Sequence, residues 1–231
     1  MLELESVVLN YRSGKKSFEH GVHHVLNDVS LKLYKGETLG VIGKNGCGKT
    51  TILRLMAGIF QPTAGQVRRR ANTSAALLSI GLGFKPQLSG RSNATMSAML
   101  QGSTRAEAEA CLEEIKAFSD LGDAFEEPVK TYSSGMRSRL GFTTALMTHV
   151  DILLIDEVLA VGDAQFKEKA EAAIKERISG EQTVVFVSHS ASQVQSVCNR
   201  AIWLNEGKIA AEGETAFVLK SYAASIKSNS Q

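Results

Sequence analysis

Residues 43–51 read GKNGCGKTT, and their types and spacing suit a chain of phosphates. Gly43, Gly46 and Gly48 let the backbone turn tightly, so that its N–H groups converge on an anion. Lys49 can reach terminal phosphates, and the Thr50 hydroxyl is a hard oxygen donor of the kind Mg2+ takes. Lys44, Asn45, Cys47 and Thr51 complete the turn, with Cys47 read as a tolerated small residue and not as a nucleophile. The spacing G-x-x-x-x-G-K-[ST] carries this meaning only between a strand and a helix. Without that context it is a glycine-rich turn with a chance lysine.

Two further groups could work on a phosphate held there. In ILLIDE, an apolar run delivers Asp156 and Glu157 to a strand end, the edge where open α/β sheets collect ligands. Asp156 is placed to hold Mg2+ through water and Glu157 to polarise an attacking water. In VVFVSHS, a second apolar run brings His189 to the same edge, within reach of a γ-phosphate or that water. Taken alone, the acids read as a strand meeting solvent and the histidine as structural. Beside the glycine-rich loop both read as chemistry.

The elements that position these groups follow from periodicity. LELESVVLNY alternates as a half-exposed strand, a polar loop follows, and HVLNDVSLKLYKGE alternates again. ETLGVIG is short and apolar, like a buried parallel strand. Ile52, Leu55, Met56, Ile59 and Phe60 then recur at helical spacing until Pro62 and Gly65 stop the helix. Residues from Thr95 to Ala117 are Ala- and Glu-rich and predict helix, and a second helix is predicted from Ser134 to His149. After that, strands alternate with helices to the end, which implies an α/β fold with a mostly parallel sheet and an inserted helical stretch. The tail IKSNSQ is polar and predicted to fray.

Composition narrows the class. The chain has 231 residues, 43% of them hydrophobic, and a formal charge of +2, too weak for a nucleic-acid partner. The run Arg68–Arg70 is placed on an exposed strand. The acidic start lacks a basic leader region, and no apolar run approaches the roughly 20 residues of a membrane span. Cys47, Cys111 and Cys198 are widely spaced, as free thiols are. His20, His23 and His24 lack acidic or cysteine neighbours and read as a solvated loop in preference to a metal site.

One stretch remains, KTYSSGMRSR at 130–139. Ser133, Ser134 and Gly135 stand at a helix start, where serine caps unpaired N–H groups. The same geometry makes an anion site. Since the loop at 43–51 already serves this chain's own phosphates, a second such site would serve a nucleotide held by another copy.

The order of these motifs (phosphate loop, helical stretch opening in Ser-rich sequence, apolar strand ending in Asp-Glu, strand-end His) resembles the ABC ATPases over nearly the whole chain. The resemblance implies a P-loop NTPase fold, an ABC-type nucleotide-binding domain with a mostly parallel RecA-like sheet, an N-terminal antiparallel β subdomain and an inserted helical lobe. It implies a single domain over 1–231, with 1–84 and 150–231 as core and 85–149 as lobe. ATP and Mg2+ are the implied ligands. Asp156–Glu157, Asp163 in AVGD and His189 would be the Walker B pair, D-loop and switch histidine, and Tyr11 would stack on adenine. Ser133, Ser134, Gly135 and Met136 would bind ATP across a head-to-tail dimer.

Two departures narrow the branch. The signature is YSSGM where most of the family has Leu-Ser-Gly-Gly-Gln. In GLGFKPQLSGRSN, Lys85 follows Phe84 and Gln87 comes two positions later; which of them faces Mg2+ stays open, with Gln87 carried as the metal candidate. Both departures resemble the ATPases that export bacterial cell-surface polysaccharides: capsule, O-antigen and teichoic acid. That implies a homodimer working with a separate integral-membrane permease, peripheral on the cytoplasmic face of the inner (plasma) membrane. The carbohydrate-binding β-sandwich that follows in some O-antigen ATPases is not expected after LKSYAAS. The competing readings are an exporter of drugs, lipids or peptides, and a soluble ABC-type assembly ATPase.

Overall fold

Strand β3 (Thr38–Ile42) is paired in parallel along both edges and buried at all five positions, as in a sheet covered on both faces. It is the centre of a computed structural model that describes residues 1–12, 22–78, 81–156, 163–180, 182–188 and 190–228. The chain divides into two units, the first made of Met1–Thr73, Leu154–Glu157 and Ile178–Gln231, the second of Ser74–Leu153 and Val158–Arg177.

In the first unit, β1 (Leu2–Arg12) lies between β2 (Val22–Leu33) and β4 (Ala64–Arg69) in an antiparallel sheet. The alternation of β1 is real but changes phase: Leu2 and Leu4 are buried, then Val7 and Leu9. A bulge at Ser6, whose φ is 45°, shifts the register by one residue and keeps the apolar side chains inward. Gly65 packs against that bulge; a Cβ there would sit 2.2 Å from the Ser6 carbonyl oxygen. His23 and His24, expected in a loop, belong to β2 and are exposed, and His24 Nδ1 lies 2.8 Å from Asn10 Oδ1. Arg68 and Arg69 are exposed on β4, as expected.

The second sheet of this unit runs β6 (Ile152–Asp156), β7 (Thr183–Val187), β3, β8 (Arg200–Asn205), β9 (Lys208–Glu214), with β8–β9 an antiparallel hairpin. Its turn, Glu206 and Gly207, has positive φ at both residues, as two-residue hairpins favour. The Gly207 carbonyl accepts from Asn27 N–H at 2.8 Å, which ties the hairpin to β2. Helices α1 (Lys49–Met56), α7 (Ala191–Val197) and α8 (Thr215–Ser228) complete the unit. Helix α1 ends four residues earlier than its apolar spacing suggests. Gly58, at φ 76°, closes it, leaving Ile59 58% exposed.

The second unit is mostly helical: β5 (Ala75–Leu77) beside the start of β6, then α2 (Gly90–Leu100), α3 (Arg105–Ala110), α4 (Leu112–Ser119), α5 (Ser134–Met147) and α6 (Ala164–Ser179). Helix α2 starts well before Thr95 because Ser89 caps it, accepting from Ser92 N–H. The stretch read as one helix to Ala117 breaks at Gly102, φ 111°, and restarts at a capping box of Thr104 and Glu107. Phe142 and Phe125 are fully buried, and Phe166 meets Phe118 and Phe142 edge-on at 6.0 and 5.9 Å. Among the described residues no helix is long and apolar enough to cross a membrane.

Candidate functional site

The glycine-rich turn sits between β3 and α1, the strand-to-helix context its spacing requires. A Cβ on Gly43 would lie 2.2 Å from the Leu204 carbonyl oxygen, so the loop can pass that close to β8 only as glycine. Gly46 and Gly48 have φ of 79° and 106°. Gly48 is the N-cap of α1 and brings no side-chain cap, whereas Ser89, Thr104, Ser133 and Ser190 cap α2, α3, α5 and α7. The first intrahelical donor of α1 is Ile52, bonded to Gly48 O, so the N–H groups before it have no acceptor in the helix. That leaves an uncapped positive helix end.

Lys49 is only 7% exposed, and its ammonium donates to the carbonyls of Gly43 at 2.8 Å and Lys44 at 2.9 Å. Two of its three protons are thereby engaged, and the head is held over the loop. Lys44, Asn45 and Gly46 are exposed, Thr50 is half-buried and Thr51 buried. Burial raises the Cys47 thiol above its ordinary pKa against the opposing pull of Lys49, which suits an inert filler.

Asp156 emerges half-buried after four buried residues of β6. Glu157 and His189 lie outside the described residues. On either side of position 189, Ser188 donates to Gln193 Oε1 at 2.7 Å and accepts from Ser190 N–H at 3.0 Å. The Thr50 hydroxyl and the Asp156 carboxylate are oxygen donors of the kind that fits Mg2+, an ion that keeps most of its ligands as water and phosphate. No cluster of three or more His, Cys, Asp or Glu exists among the described residues. Tyr11 is 38% exposed near the end of β1, edge-on to Phe60 at 5.9 Å, with the Arg54 guanidinium 5.6 Å over the Phe60 ring.

A family model described as ABC transporter matches residues 26–160, which takes in the glycine-rich turn and Asp156. The chain belongs to the ABC transporter family. It is 41% identical over 87% of its length to ABC transporter protein AbcA of Aeromonas salmonicida, covering 65% of that protein. To the O-antigen export system ATP-binding protein RfbB of Myxococcus xanthus it is 40% identical over 96% of its length, covering 51% of the relative. To the teichoic acids export ATP-binding protein TagH of Listeria innocua it is 43% identical over 87% of its length, covering 60%. The chain thus spans between half and two thirds of these relatives. An ATP-binding cassette solved as a dimer in a post-hydrolysis state with ADP and Pi superposes at TM-score 0.73, with 21% identity, covering 93% of this chain and 99% of that one. The ATP-binding subunit of an ABC transporter gives 0.75 at 20%, covering 96% and 93%. The fold is therefore the ABC-cassette fold: a P-loop α/β sheet, an N-terminal antiparallel subdomain and helical insertions.

The second unit of this family member holds the remaining candidates. Ser133 is a true N-cap, accepting from Met136 N–H at 3.1 Å; Ser134 is exposed, and Gly135 and Met136 are half-buried. Asp163 also caps, its Oδ1 accepting from Phe166 N–H at 2.9 Å at the head of α6. Lys85 and Gln87 are both exposed, so exposure does not choose between them. What sequence reasoning missed is the residue under that loop. Asn93 is fully buried, and its amide accepts from Lys85 N–H at 2.6 Å and donates to the carbonyls of Lys85, Leu88 and Ser89. The only signal for it was the SGRSN pattern, quoted for its resemblance and given no role.

Proposed function

We propose that this chain is the ATP-hydrolysing subunit of an exporter of bacterial cell-surface polysaccharide: capsule, O-antigen or teichoic acid. Two copies close over two ATP molecules and drive a separate integral-membrane permease from the cytoplasmic face of the inner membrane. The observation that carries the nucleotide reading is the uncapped head of α1, with the buried Lys49 ammonium fastened over it. The similarity to O-antigen and teichoic acid export proteins carries the cargo.

In this reading the loop N–H groups and the helix end bind the phosphates, and Lys49 turns its remaining proton to the γ-phosphate. Tyr11 stacks on adenine. Thr50 and Asp156, with Gln87 as the lobe's candidate, would hold Mg2+, which would supply positive charge to the phosphate oxygens. Glu157 accepts a proton as water oxygen bonds to the γ-phosphorus and the bond to the ADP oxygen breaks; His189 orients the transferring group. Ser133, Ser134, Gly135 and Met136 of the second copy close the site, and Asp163 lies at the dimer face. Most of the rate comes from position and electrostatics.

Glu157→Gln tests this, by size exclusion with and without ATP–Mg2+ alongside phosphate release from the parent. The expected result is an ATP-dependent dimer with hydrolysis abolished. A variant that binds ATP and stays monomeric would leave Ser133 as a helix cap and nothing more. Co-expression with a multispan polysaccharide permease tests the cargo: the chain should follow the permease into membranes. A chain that ignores the permease would favour the assembly-ATPase reading.

A further inference from the structure

Asn93 has no exposed surface, and both ends of its amide are spent on the loop from Lys85 to Ser89. A fully buried amide that answers three groups of the loop ahead of its helix, besides the carbonyl of the Ser89 cap, fixes the shape of that loop. The other side of the loop is fastened as well. Leu88 O accepts from Val129 N–H at 2.9 Å, Pro86 O accepts from Lys130 N–H at 2.8 Å, and Gly90 N–H donates to Glu127 O at 3.2 Å.

The segment that makes these bonds, a single bridge at Pro128 followed by a 3-10 turn over Val129–Thr131, runs directly into the head of α5. Tyr132 is buried, its hydroxyl donates to Ala124 O, and it packs over Gly90 so closely that a Cβ there would fall 2.3 Å from the hydroxyl oxygen. Ser133 follows as the N-cap. Arg91 completes the clamp, bonded to Glu126 and Glu113, with its guanidinium 5.2 Å over the Phe125 ring.

We propose that Asn93 is a positioning residue: through the Lys85–Ser89 loop and the 127–132 segment it sets the orientation of the α5 head, so that this loop and the Ser133–Gly135 anion site move as one piece. This rests on the reading of α5 as the site that closes over a second copy's ATP. Backbone bonds on one side and a single buried amide on the other leave one weak point. Asn93→Asp keeps the size but faces three carbonyl oxygens with a carboxylate and deletes the donors.

The test has two arms, with Ile115→Val as a control in the same unit, chosen for a similar loss of melting temperature. First, amide hydrogen exchange is measured without nucleotide. Asn93→Asp should speed exchange by at least about tenfold at both Lys85–Ser89 and Gly135–Arg137, while the control speeds neither selectively; acceleration confined to 85–89 would overturn the proposal. Second, in the Glu157→Gln background, Asn93→Asp should keep ATP affinity within about twofold yet weaken ATP-dependent dimerisation at least about tenfold. A dimer as tight as the parent's, or equal weakening by Ile115→Val, would also overturn it. If the Glu157→Gln parent itself fails to dimerise, the composite-site reading fails, and the exchange arm still decides the mechanical link.

Discussion

At the residue scale, Lys49 and Cys198 show how burial assigns opposite roles to two reactive side chains. Lys49 is buried with its charge satisfied by two loop carbonyls, and its remaining proton is the one a phosphate would meet. Lys49→Met should weaken ATP binding by about 10- to 100-fold, the equivalent of one charge-assisted bond of about 1.5–3 kcal/mol, measured by titration calorimetry on a variant that still folds. Cys198 is buried under Gly40, where a Cβ would approach its Sγ to 3.2 Å, and desolvation pushes the thiol up to about 12. Because the folded thiol holds its proton where the unfolded one, near 9, releases it, this stability is present below pH 9 and is lost as pH rises toward 12. The slope is up to about 1.4 kcal/mol per pH unit from this group. Urea unfolding between pH 8 and 11 should show that decline, and Cys198→Ala should flatten it. The thiol should also resist alkylation at pH 8 until the protein is unfolded. The loop residues were legible because G-x-x-x-x-G-K-[ST] encodes a backbone path. Asn93 was not, because a buried amide answering four loop groups leaves no periodic trace.

At the scale of elements, the glycines at the start of α2 and inside α5 make contrasting demands. Gly90 has Tyr132 and the Phe125 carbonyl, 2.8 Å away, against its missing side chain. Gly90→Ala should therefore cost about 1–3 kcal/mol by overpacking, read as a lowered melting temperature. Gly135 has no such neighbour; a Cβ there first meets Ser133 Oγ at 3.8 Å. Gly135→Ala should fold at least as stably, gaining roughly 0.5–1 kcal/mol of helix propensity, yet weaken ATP-dependent dimerisation by blocking close approach of phosphate to the backbone. A Gly135→Ala protein that dimerises like its parent would mean that nothing docks on that helix head. Strands β3, β6 and β7 and helix α5 were legible from short apolar runs and capping serines. The end of α1 and the break before α3 were not, since Ile59 and the Ala-rich stretch keep helical spacing through Gly58 and Gly102, whose positive φ stops the helix. The phase change in β1 was hidden likewise, because Leu-x-Leu and Val-x-Leu each alternate perfectly on their own.

On the scale of the whole molecule, 26 basic side chains oppose 24 acidic ones, and Arg68 is already paired with Glu5 at 3.0 Å. No mobility shift of duplex DNA is expected even at low salt, where phosphate contacts would be strongest; a salt-sensitive shift would contradict that. The sheet order carries a different kind of consequence. Strand β3, which ends in the phosphate loop, finishes at Ile42, but both of its parallel partners come from the last quarter of the chain, β7 from Thr183 and β8 from Arg200. On a ribosome adding ~5–20 residues per second, the loop is made about 7–30 s before the strands that hold it. During that interval the apolar ribbon of β3 has neither edge covered, which makes it a natural client for a chaperone. Nascent chains stalled before residue 200 should retain no labelled ATP, and nucleotide capture should begin only once β8 has left the exit tunnel. The chain can gain its first ligand only after β8, Arg200–Asn205, has been made.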